Sequence, residues 1–386
     1  MTHKALCIVG TRPEAIKMAP VIKRLQKDPR YECIVCATGQ HKEMLYQVLD
    51  WFDIVPDYKM DVMLAGQPLS HLAGKLLSGL HDLIDEINPE FAFVHGDTTT
   101  AFIAALASHY AYNAAESKHM KVVHVEAGLR TYDKHAPFPE ESNRVLIGQL
   151  ADWHFTPTIN SAEALLLENI TRNVFVVGNT AIDALYDTID ILKEKPHNPL
   201  SFIPEDEKVI MVTAHRRENY GDGFKNICKA LKEIAILYPN THIVYPVHLN
   251  PNVKDVVEGM LGEISNIHLV PPMDYPDFVS AMMRSHLILT DSGGIQEEAP
   301  SLGKPVLVMR EVTERPDAVA AGAVKLVGTD TDKIVSTVTM LMEDEVAYRT
   351  MAKAVNPYGD GQTSERIVNI LAGDPVKANT FRTQAA

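Results

Sequence analysis

Long apolar runs are absent from this sequence of 386 residues. No run approaches the roughly 20 apolar residues that a membrane-spanning helix needs, so we expect no membrane partner. The first ten residues lead directly into a strand-like segment, without a long apolar core or a small-residue cleavage site. We therefore expect no signal peptide and a cytoplasmic location.

Cysteine is scarce as well. The chain has four cysteines, which is ordinary for a protein of a reducing compartment. Cys33 and Cys36 have C-x-x-C spacing, but they lie in an apolar, strand-like run. A redox pair is expected at the start of a helix, so this position favours two small core residues.

An excess of positive charge is lacking. The formal net charge is −14, which argues against broad binding of nucleic acid or of anionic membranes. It leaves room for one small anionic ligand, because a few cationic side chains in a cleft can dominate locally. We therefore expect a small-molecule ligand and no nucleic-acid partner.

Several cofactor and metal motifs are missing. There is no G-x-G-x-x-G, no P-loop, no H-E-x-x-H and no paired Cys–His spacing. Neither a dinucleotide, nor a P-loop nucleotide, nor a protein-bound metal is therefore predicted, and we expect no cofactor.

What the sequence does contain is a regular alternation of apolar strand-like runs and helical stretches. The strand candidates are Ala5–Val9, Glu32–Ala37, Phe91–His95, Val122–Glu126, His154–Thr156, Val174–Val177, Val209–Thr213, His242–Val247, Ile267–Val270, Leu287–Thr290, Val306–Met309 and Val324–Val327. Helical patterns between apolar strands predict parallel sheets that are covered on both faces.

The pattern is interrupted at the proline-containing segment Lys193–Lys208, which is typical of a linker. We therefore predict an α/β fold of two Rossmann-like domains, at 1–180 and 205–360, that face each other across a cleft. A last helix at 363–372 is expected to pack back on the first domain. Ligands bind at the carboxyl ends of strands in such sheets, so functional residues should follow the strands.

Three carboxylates follow strands of the first half. Asp97, Glu126 and Glu140 are expected to converge, and clustered carboxylates raise one another's pKa, which suits general acid–base work. Each has an alternative. Asp97 is a natural helix N-cap, Glu126 could pair with Arg130, and Glu140 could complement a helix dipole.

Basic and glycine-rich segments follow other strands. In Gly10–Lys17 we expect a turn that leads into a helix, with Pro13 at the first helical position. The backbone amides at the start of this helix would face an anion, and Arg12 and Lys17 would add positive charge there. The alternative is a turn with solvated basic residues.

In the second half, His215 can change its protonation near neutral pH, and Arg216 fits phosphate oxygens. The turn Ser292–Gly294 is the strongest phosphate signal, because its glycines let a diphosphate approach the backbone. Glu298 is placed to accept from ribose hydroxyls, and Arg315 could reach the same site.

The chain also resembles a known family. The segments that carry the likeness are Gly10–Pro20, His95–Thr100, His124–Thr131, Thr213–Glu218, Tyr245–Asn252, Thr290–Met309 and Asn356–Gly361. They resemble the non-hydrolysing UDP-N-acetylglucosamine 2-epimerases, and the likeness extends from about Lys4 to Leu371.

The resemblance implies the two-domain fold of many nucleotide-sugar glycosyltransferases (the GT-B type) and a homodimer. It also implies interconversion of UDP-GlcNAc and UDP-ManNAc without NAD or metal. The implied course is loss of UDP to give 2-acetamidoglucal, followed by re-addition. By position, Asp97, Glu126, Glu140 and His215 correspond to the catalytic residues. The implied substrate contacts are Arg12, Lys17, Arg216, Phe278, Ser292, Gly293, Gly294, Glu298 and Arg315. Met273 stands where the family has a glutamine near the uracil.

Some bacterial members bind a second UDP-GlcNAc as an activator. Part of that pattern is present as Gln40, His41, Gln67 and His248. Two positions depart from it: Glu43 stands where those members have glutamine, and Gly66 where they have arginine. An insertion at Tyr112–Met120 is predicted to be a surface loop.

Other functions fit the same residues. A retaining glycosyltransferase would share the fold and the UDP site but would need an acceptor. A hydrolysing epimerase would release free N-acetylmannosamine, and a related epimerase would act on a modified UDP-sugar. A regulator that only binds a UDP-sugar would not require three acid–base carboxylates and His215.

Overall fold

The computed structural model describes residues 2–64, 66–113, 118–248 and 250–375 of the chain. These residues form two compact units. The first contains the residues up to Asp187 and those from Tyr358 onward, and the second contains Thr188–Pro357. The sequence-based domain limits at 180 and 205 lie on either side of the boundary at Asp187.

The strands lie close to the predicted positions. In chain order they are β1 His3–Val9, β2 Tyr31–Ala37, β3 Tyr58–Lys59, β4 Phe91–His95, β5 Tyr112–Asn113, β6 Lys118–His119, β7 Lys121–Val125, β8 Trp153–Thr156, β9 Val174–Val176, β10 Lys208–Thr213, β11 Thr241–Pro246, β12 Ile267–Val270, β13 Leu287–Thr290, β14 Val306–Val308 and β15 Val324–Leu326.

Helices connect most of the strands. The α-helices are α1 Arg12–Lys27, α2 Lys42–Trp51, α3 Leu69–Ile87, α4 Thr99–Tyr110, α5 Glu140–Leu150, α6 Ile159–Leu167, α7 Thr180–Glu194, α8 Asp222–Leu237, α9 Pro251–Leu261, α10 Tyr275–Arg284, α11 Gly293–Glu298, α12 Pro316–Ala320, α13 Thr331–Glu343, α14 Glu345–Ala352 and α15 Thr363–Leu371. Short 3-10 helices occupy Arg217–Asn219 and Ala299–Leu302.

Each unit is built on one parallel sheet. The first has the strand order β3-β2-β1-β4-β7-β8-β9, and the second has the order β12-β11-β10-β13-β14-β15. Apolar side chains fill both faces. Leu6 to Val9 of β1 and Val209 to Val212 of β10 are fully buried. Helices cover such sheets, which is why the strands are apolar throughout instead of alternating.

The predicted fold class, two Rossmann-like α/β units of the GT-B type, is confirmed. Every predicted strand is present within two residues at each end. The short edge strand β3 was not predicted. The insertion at Tyr112–Met120 is not a plain loop, since β5 and β6 pair in antiparallel fashion; residues 114–117 lie outside the described residues.

The C-terminal helix α15 is anchored in the first unit by a buried carboxylate. Asp183 in α7 accepts hydrogen bonds from the amides of Thr363 and Ser364, at 3.2 and 2.7 Å, and from Ser364 Oγ at 2.6 Å. It therefore satisfies amides that the first turn of a helix leaves without intrahelical partners. Arg24 Nη2 of α1 also donates to Glu365 Oε2 at 3.0 Å.

Gly128 lies in a turn after β7 that admits no side chain. Its φ is +87°, and a Cβ at this position would lie 2.1 Å from the Ser161 carbonyl oxygen. Both the conformation and the contact therefore require glycine.

We predict that Gly128→Ala lowers the free energy of unfolding by about 3 kcal/mol or more, because the backbone must shift to relieve the contact with Ser161. Chemical denaturation measures this change. Gly74→Ala is the matched control, because Gly74 lies exposed in α3 with open space around its Cα. It should raise the stability by about 0.5–1 kcal/mol. Equal effects of the two substitutions would contradict the prediction.

Candidate functional site

Polar side chains gather at the carboxyl edge of the first sheet. Gly10 follows β1, Asp97 follows β4, Glu126 follows β7 and Asn179 follows β9. Because all strands of this sheet are parallel, these positions lie along one edge. The sequence-based expectation that functional candidates follow the strands therefore holds for the geometry of this unit.

Glu126 is the most enclosed of the predicted catalytic carboxylates, with a side chain that is 8% exposed. Lys17 Nζ donates to its Oε2, and Asn179 Nδ2 donates to the same oxygen at 2.7 Å. His95 Nε2 lies 3.8 Å from it. The alternative pairing with Arg130 is wrong, because Arg130 instead donates to both carboxylate oxygens of Glu168, at 2.7 and 2.8 Å.

Asp97 is held by α5. Arg144 Nε donates to Asp97 Oδ2 at 2.7 Å, and Asn143 Nδ2 donates to the Asp97 carbonyl at 2.8 Å. The helix-cap alternative for Asp97 is wrong, because Thr98 caps α4 by accepting from the Ala101 amide at 3.0 Å. Two of the three predicted carboxylates therefore have a cationic partner, Lys17 beside Glu126 and Arg144 beside Asp97.

Glu140 is the first residue of α5 and is partly exposed. Its buried neighbour Glu141 accepts from the amides of Thr131 and Tyr132, at 3.0 and 2.9 Å, and from Arg144 Nη1 at 3.0 Å. Burial alone would raise the pKa of Glu141, but these hydrogen bonds hold it below its ordinary value. Glu141 is therefore a structural anchor for the loop before α5.

The turn after β1 differs from the sequence-based expectation. Thr11 is the N-cap of α1, so Arg12 is the first helical residue and Pro13 the second. Glu14 closes a capping box and is 1% exposed. It accepts from the amides of Gly10 and Thr11, at 3.0 and 2.7 Å, so a carboxylate of the chain itself already uses these predicted anion-binding donors.

Glu14 also connects two helix starts. Its Oε1 accepts from Thr98 Oγ1 at 2.7 Å, which joins the capping box of α1 to the N-cap of α4. Burial raises the pKa of Glu14 to about 7, although these hydrogen bonds oppose the shift. Any phosphate contact in this turn would therefore have to use groups other than the amides of Gly10 and Thr11.

In the second unit, the buried carboxylate of Asp291 organises the turn after β10. Its Oδ2 accepts from the amides of His215 and Arg216, at 2.8 and 2.7 Å, and from Asn219 Nδ2 at 3.3 Å. Its Oδ1 lies 3.4 Å from His215 Nδ1. Partial burial lowers the pKa of His215; Asp291 opposes this shift, whereas Arg216 and His248 add to it.

Two guanidinium groups lie beside the glycine turn after β13. A Cβ at Gly293 would lie 3.6 Å from Arg315 Nη2 and 3.9 Å from Arg216 Nη2. Arg315 is fixed by the fully buried Glu297, whose Oε1 accepts from Arg315 Nε at 2.5 Å. The structure thus brings together the predicted phosphate residues Arg216, Gly293 and Arg315.

The remaining predicted contacts of this unit lie on neighbouring elements. Ser292 is the N-cap residue of α11, and the structure leaves open space where a side chain of Gly294 would begin. Glu298 Oε1 accepts from Tyr275 Oη at 3.4 Å. Phe278 is half-buried in α10, and Met273 lies just before that helix.

The predicted activator residues fall in both units. In the first unit, Gln40 Oε1 accepts from Thr100 Oγ1 at 2.8 Å, the amide of His41 donates to the Gly10 carbonyl, and Gln67 Nε2 donates to the Val62 carbonyl. In the second, the ring of His248 stacks on that of His215, with 5.8 Å between centroids. Their role as activator contacts stays a prediction.

Sequence reasoning missed four residues that shape these sites. Asn179, Glu14 and Arg144 hold or orient other groups in the first unit, and Asp291 does so in the second. Asp291 had a visible signal, because a carboxylate follows β13 directly. Asn179 had none, because its function depends on a partner 53 residues away.

Among the residues that the structure describes, no group of three or more His, Cys, Asp or Glu side chains is arranged to hold a metal ion. Within the same ranges, none of the helices has the length and apolar character needed to cross a membrane.

The fold and the residues at the strand ends define a class of protein. Two Rossmann-like units, each with charged side chains after its parallel strands, are typical of GT-B-type proteins that bind nucleotide sugars. A family model described as UDP-N-acetylglucosamine 2-epimerase matches residues 23–372. The chain belongs to this family, and the resemblance drawn from its motifs is confirmed.

Individual relatives agree along nearly the whole chain. A UDP-N-acetylglucosamine 2-epimerase of Salmonella typhimurium is 52% identical over 375 residues, which cover 95% of this chain and 98% of that protein. The crystal structure of the Neisseria meningitidis UDP-GlcNAc 2-epimerase bound to UDP-GlcNAc has a TM-score of 0.87 at 48% identity, covering 96% of this chain and 100% of that one. The Methanocaldococcus jannaschii enzyme in complex with UDP-GlcNAc and UDP has a TM-score of 0.79 at 32% identity, with coverages of 96% and 99%.

The buried Glu14 predicts a dependence of stability on pH. The pKa of its carboxyl group rises from an ordinary 4.5 to about 7 in the folded protein. Between these values the folded state holds a proton that the unfolded chain has released, so raising the pH favours unfolding. Glu14 therefore adds about 3 kcal/mol to the free energy of unfolding at pH values below 4.5. This contribution is lost as the pH rises through about 7.

Glu14→Gln mimics the protonated form and should abolish this dependence. Relative to the wild type, the variant should gain up to about 3 kcal/mol as the pH rises from about 4 to about 8, measured by urea denaturation. Glu365→Gln is the control, because it removes an exposed carboxylate of the same unit. Stability curves of Glu14→Gln and wild type that stay parallel over this range would refute the assignment.

Proposed function

We propose that the protein catalyses the reversible epimerisation at C2 that interconverts UDP-GlcNAc and UDP-ManNAc, without hydrolysis. The observation that carries the proposal is the enclosed carboxylate of Glu126 at the sheet edge, which is contacted by Lys17 and Asn179. Membership of the family and the UDP-GlcNAc bound in the Neisseria meningitidis relative support this choice of substrate.

The chemistry follows from the substrate. The hydrogen at C2 of the sugar is not acidic, because no carbonyl group is adjacent to it. We propose an elimination in which a proton leaves C2, the bond from C1 to the UDP oxygen breaks, and 2-acetamidoglucal and UDP form. Re-addition forms the C1–O bond again and returns a proton to the opposite face of C2.

The first unit carries the groups for proton transfer. Asp97, Glu126 and Glu140 are proposed as the acid–base carboxylates. Lys17 donates to Glu126 and Arg144 donates to Asp97, so each of these two carboxylates has a cationic partner that orients it. A general base must lie within hydrogen-bond reach of the proton that it removes, so a fixed orientation suits this role.

The second unit carries the groups for the departing diphosphate. Arg216 and Arg315 lie beside the Ser292–Gly294 turn, where the missing side chain of Gly293 leaves room for an anion. His215, which Asp291 holds at the same sheet edge, is proposed to stabilise the leaving oxygen. Phe278 and Glu298 are proposed as contacts to the uridine, and Arg12 as a further contact to phosphate. We also propose that the enzyme is a cytoplasmic homodimer and needs no cofactor.

We predict that the purified protein converts UDP-GlcNAc into UDP-ManNAc when no acceptor is added. In heavy water, each product and each recovered substrate molecule that has turned over should carry one solvent deuterium at C2, which NMR detects directly. Free N-acetylmannosamine with stoichiometric UDP would indicate a hydrolysing enzyme instead. Full retention of the original C2 hydrogen in both sugars would rule out the elimination.

We further predict that Asp97→Asn, Glu126→Gln and His215→Ala each lower kcat by about 100-fold or more, because each removes a group that acts in the transition state. Glu365→Gln is the control, since this exposed carboxylate pairs with Arg24 on the outer side of α1. Steady-state rates from NMR or coupled UDP-sugar assays provide the measurement. Near-normal rates in all three variants would show that the active site lies elsewhere.

A further inference from the structure

Asn179 contacts the proposed acid–base carboxylate of Glu126, but the proposed mechanism assigns no role to it. It lies between β9 and α7 and is 2% exposed. Its side chain joins two groups: Nδ2 donates to Glu126 Oε2 at 2.7 Å, and Oδ1 accepts from the Ala181 amide at 2.9 Å. Its backbone amide donates to the Tyr358 carbonyl at 2.6 Å.

The orientation of the Asn179 amide follows from these contacts. A backbone N–H can only donate, so the atom that faces Ala181 must be the side-chain oxygen. The nitrogen therefore faces Glu126, and Oε2 of Glu126 must accept. Lys17 Nζ donates to that same oxygen, so Oε2 receives a cationic and a neutral donor.

Two donors on Oε2 restrict how the carboxylate of Glu126 can turn. A rotation of this carboxylate would have to break the hydrogen bond from Asn179 or that from Lys17. Asn179 and Lys17 together therefore hold the carboxylate in one orientation.

We propose that Asn179 is a positioning residue for Glu126: with Lys17 it holds Oε2 and so fixes the orientation of the carboxylate that exchanges the proton with the sugar. The inference rests on the proposed epimerase function, because it takes Glu126 as an acid–base group. Asn179 acts through Glu126 and is not itself a catalytic residue.

The segment from Tyr358 onward, in which the chain returns to the first unit, keeps Asn179 in place. Gly178, at φ +100°, packs against this returning segment, and a Cβ there would lie 3.2 Å from the Tyr358 carbonyl oxygen and 2.7 Å from Thr363 Oγ1. Asp183 binds the same segment at Ser364. Asn179 is thus fixed by backbone contacts before any substrate binds, as a preorganised site requires.

Two substitutions test the proposal while keeping an oxygen for the Ala181 amide. Asn179→Ser removes the donor to Glu126, and Asn179→Asp replaces that donor by a negative charge. We predict that both lower kcat by about 10- to 100-fold with little change in KM, because Glu126 loses its orientation. The acidic limb of the pH profile of kcat should move to higher pH in Asn179→Ser and further in Asn179→Asp. Loss of the donor favours the protonated form of Glu126, and a nearby negative charge favours it more strongly.

Asp183→Asn is the matched control, because Asp183 anchors the returning segment through the backbone of Thr363 and Ser364. It should lower the Tm but move the acidic limb much less than Asn179→Ser does, because it loosens the returning segment and keeps the donor of Asn179. A limb that moves as far in Asp183→Asn as in Asn179→Ser would overturn the proposal, because loosened packing would then explain both.

A double substitution separates positioning from a direct role. In a Glu126→Gln background, Asn179→Ser should lower the residual rate by less than about twofold, because residues that act through one another are not additive. A full further loss would overturn the proposal, as would Asn179 variants that keep the wild-type pH profile while the wild type epimerises UDP-GlcNAc. A wild type that does not epimerise UDP-GlcNAc would instead refute the proposed function itself.

Discussion

The ion pair of Lys17 and Glu126 is the constraint on which the first unit depends. Both side chains are largely buried, with exposures of 12% and 8%. A buried charge is costly unless it is paired and hydrogen-bonded, so the fold must bring every partner to one point. α1 supplies Lys17, the end of β4 supplies His95, and the turn after β9 supplies Asn179. Loss of Lys17 would leave the charge of Glu126 without a cation in a poorly solvated place, which gives α1 and the strand ends a common reason to keep their arrangement.

The two units use buried carboxylates in opposite ways. In the first, Glu126 sits at φ +61°, a left-handed conformation that is costly for a residue with a side chain, and it meets a cation directly. In the second, Asp291 binds backbone amides and so holds the His215–Arg216 turn, whose side chains stay available to other groups. The first arrangement suits a carboxylate that exchanges protons itself. The second suits a carboxylate that presents a cation, Arg216, and a hydrogen-bonding ring, His215, to an anion. These two arrangements match the roles that we propose for the two units.

The sequence was sufficient for the fold class, for all of the longer strands and for the positions of the candidate residues, because buried parallel strands have a strong apolar signal and active groups follow their ends. It did not identify the partners of those residues. Lys17 was assigned to phosphate but contacts Glu126, and Arg130 binds Glu168 instead of Glu126. Such pairings depend on strand order and helix packing, which no local pattern encodes. Asn179 was missed for a further reason: an uncharged amide at a helix start is ordinary until its distant acceptor is known.

The capping box of α1 limits the backbone donors that the turn after β1 can offer to an anion. Glu14 uses the amides of Gly10 and Thr11, so the turn after β1 presents a carboxylate where a phosphate-binding loop would present free N–H groups. The amides of Gly10 and Thr11 therefore contribute no attraction for a diphosphate. We propose that Arg216 and Arg315, beside Gly293 in the second unit, supply this attraction; Glu297 fixes Arg315 through its Nε. Guanidinium groups bind phosphate oxygens in a directional way. Two of them can therefore favour one small phosphate ligand on a protein whose net charge of −14 disfavours polyanions in general.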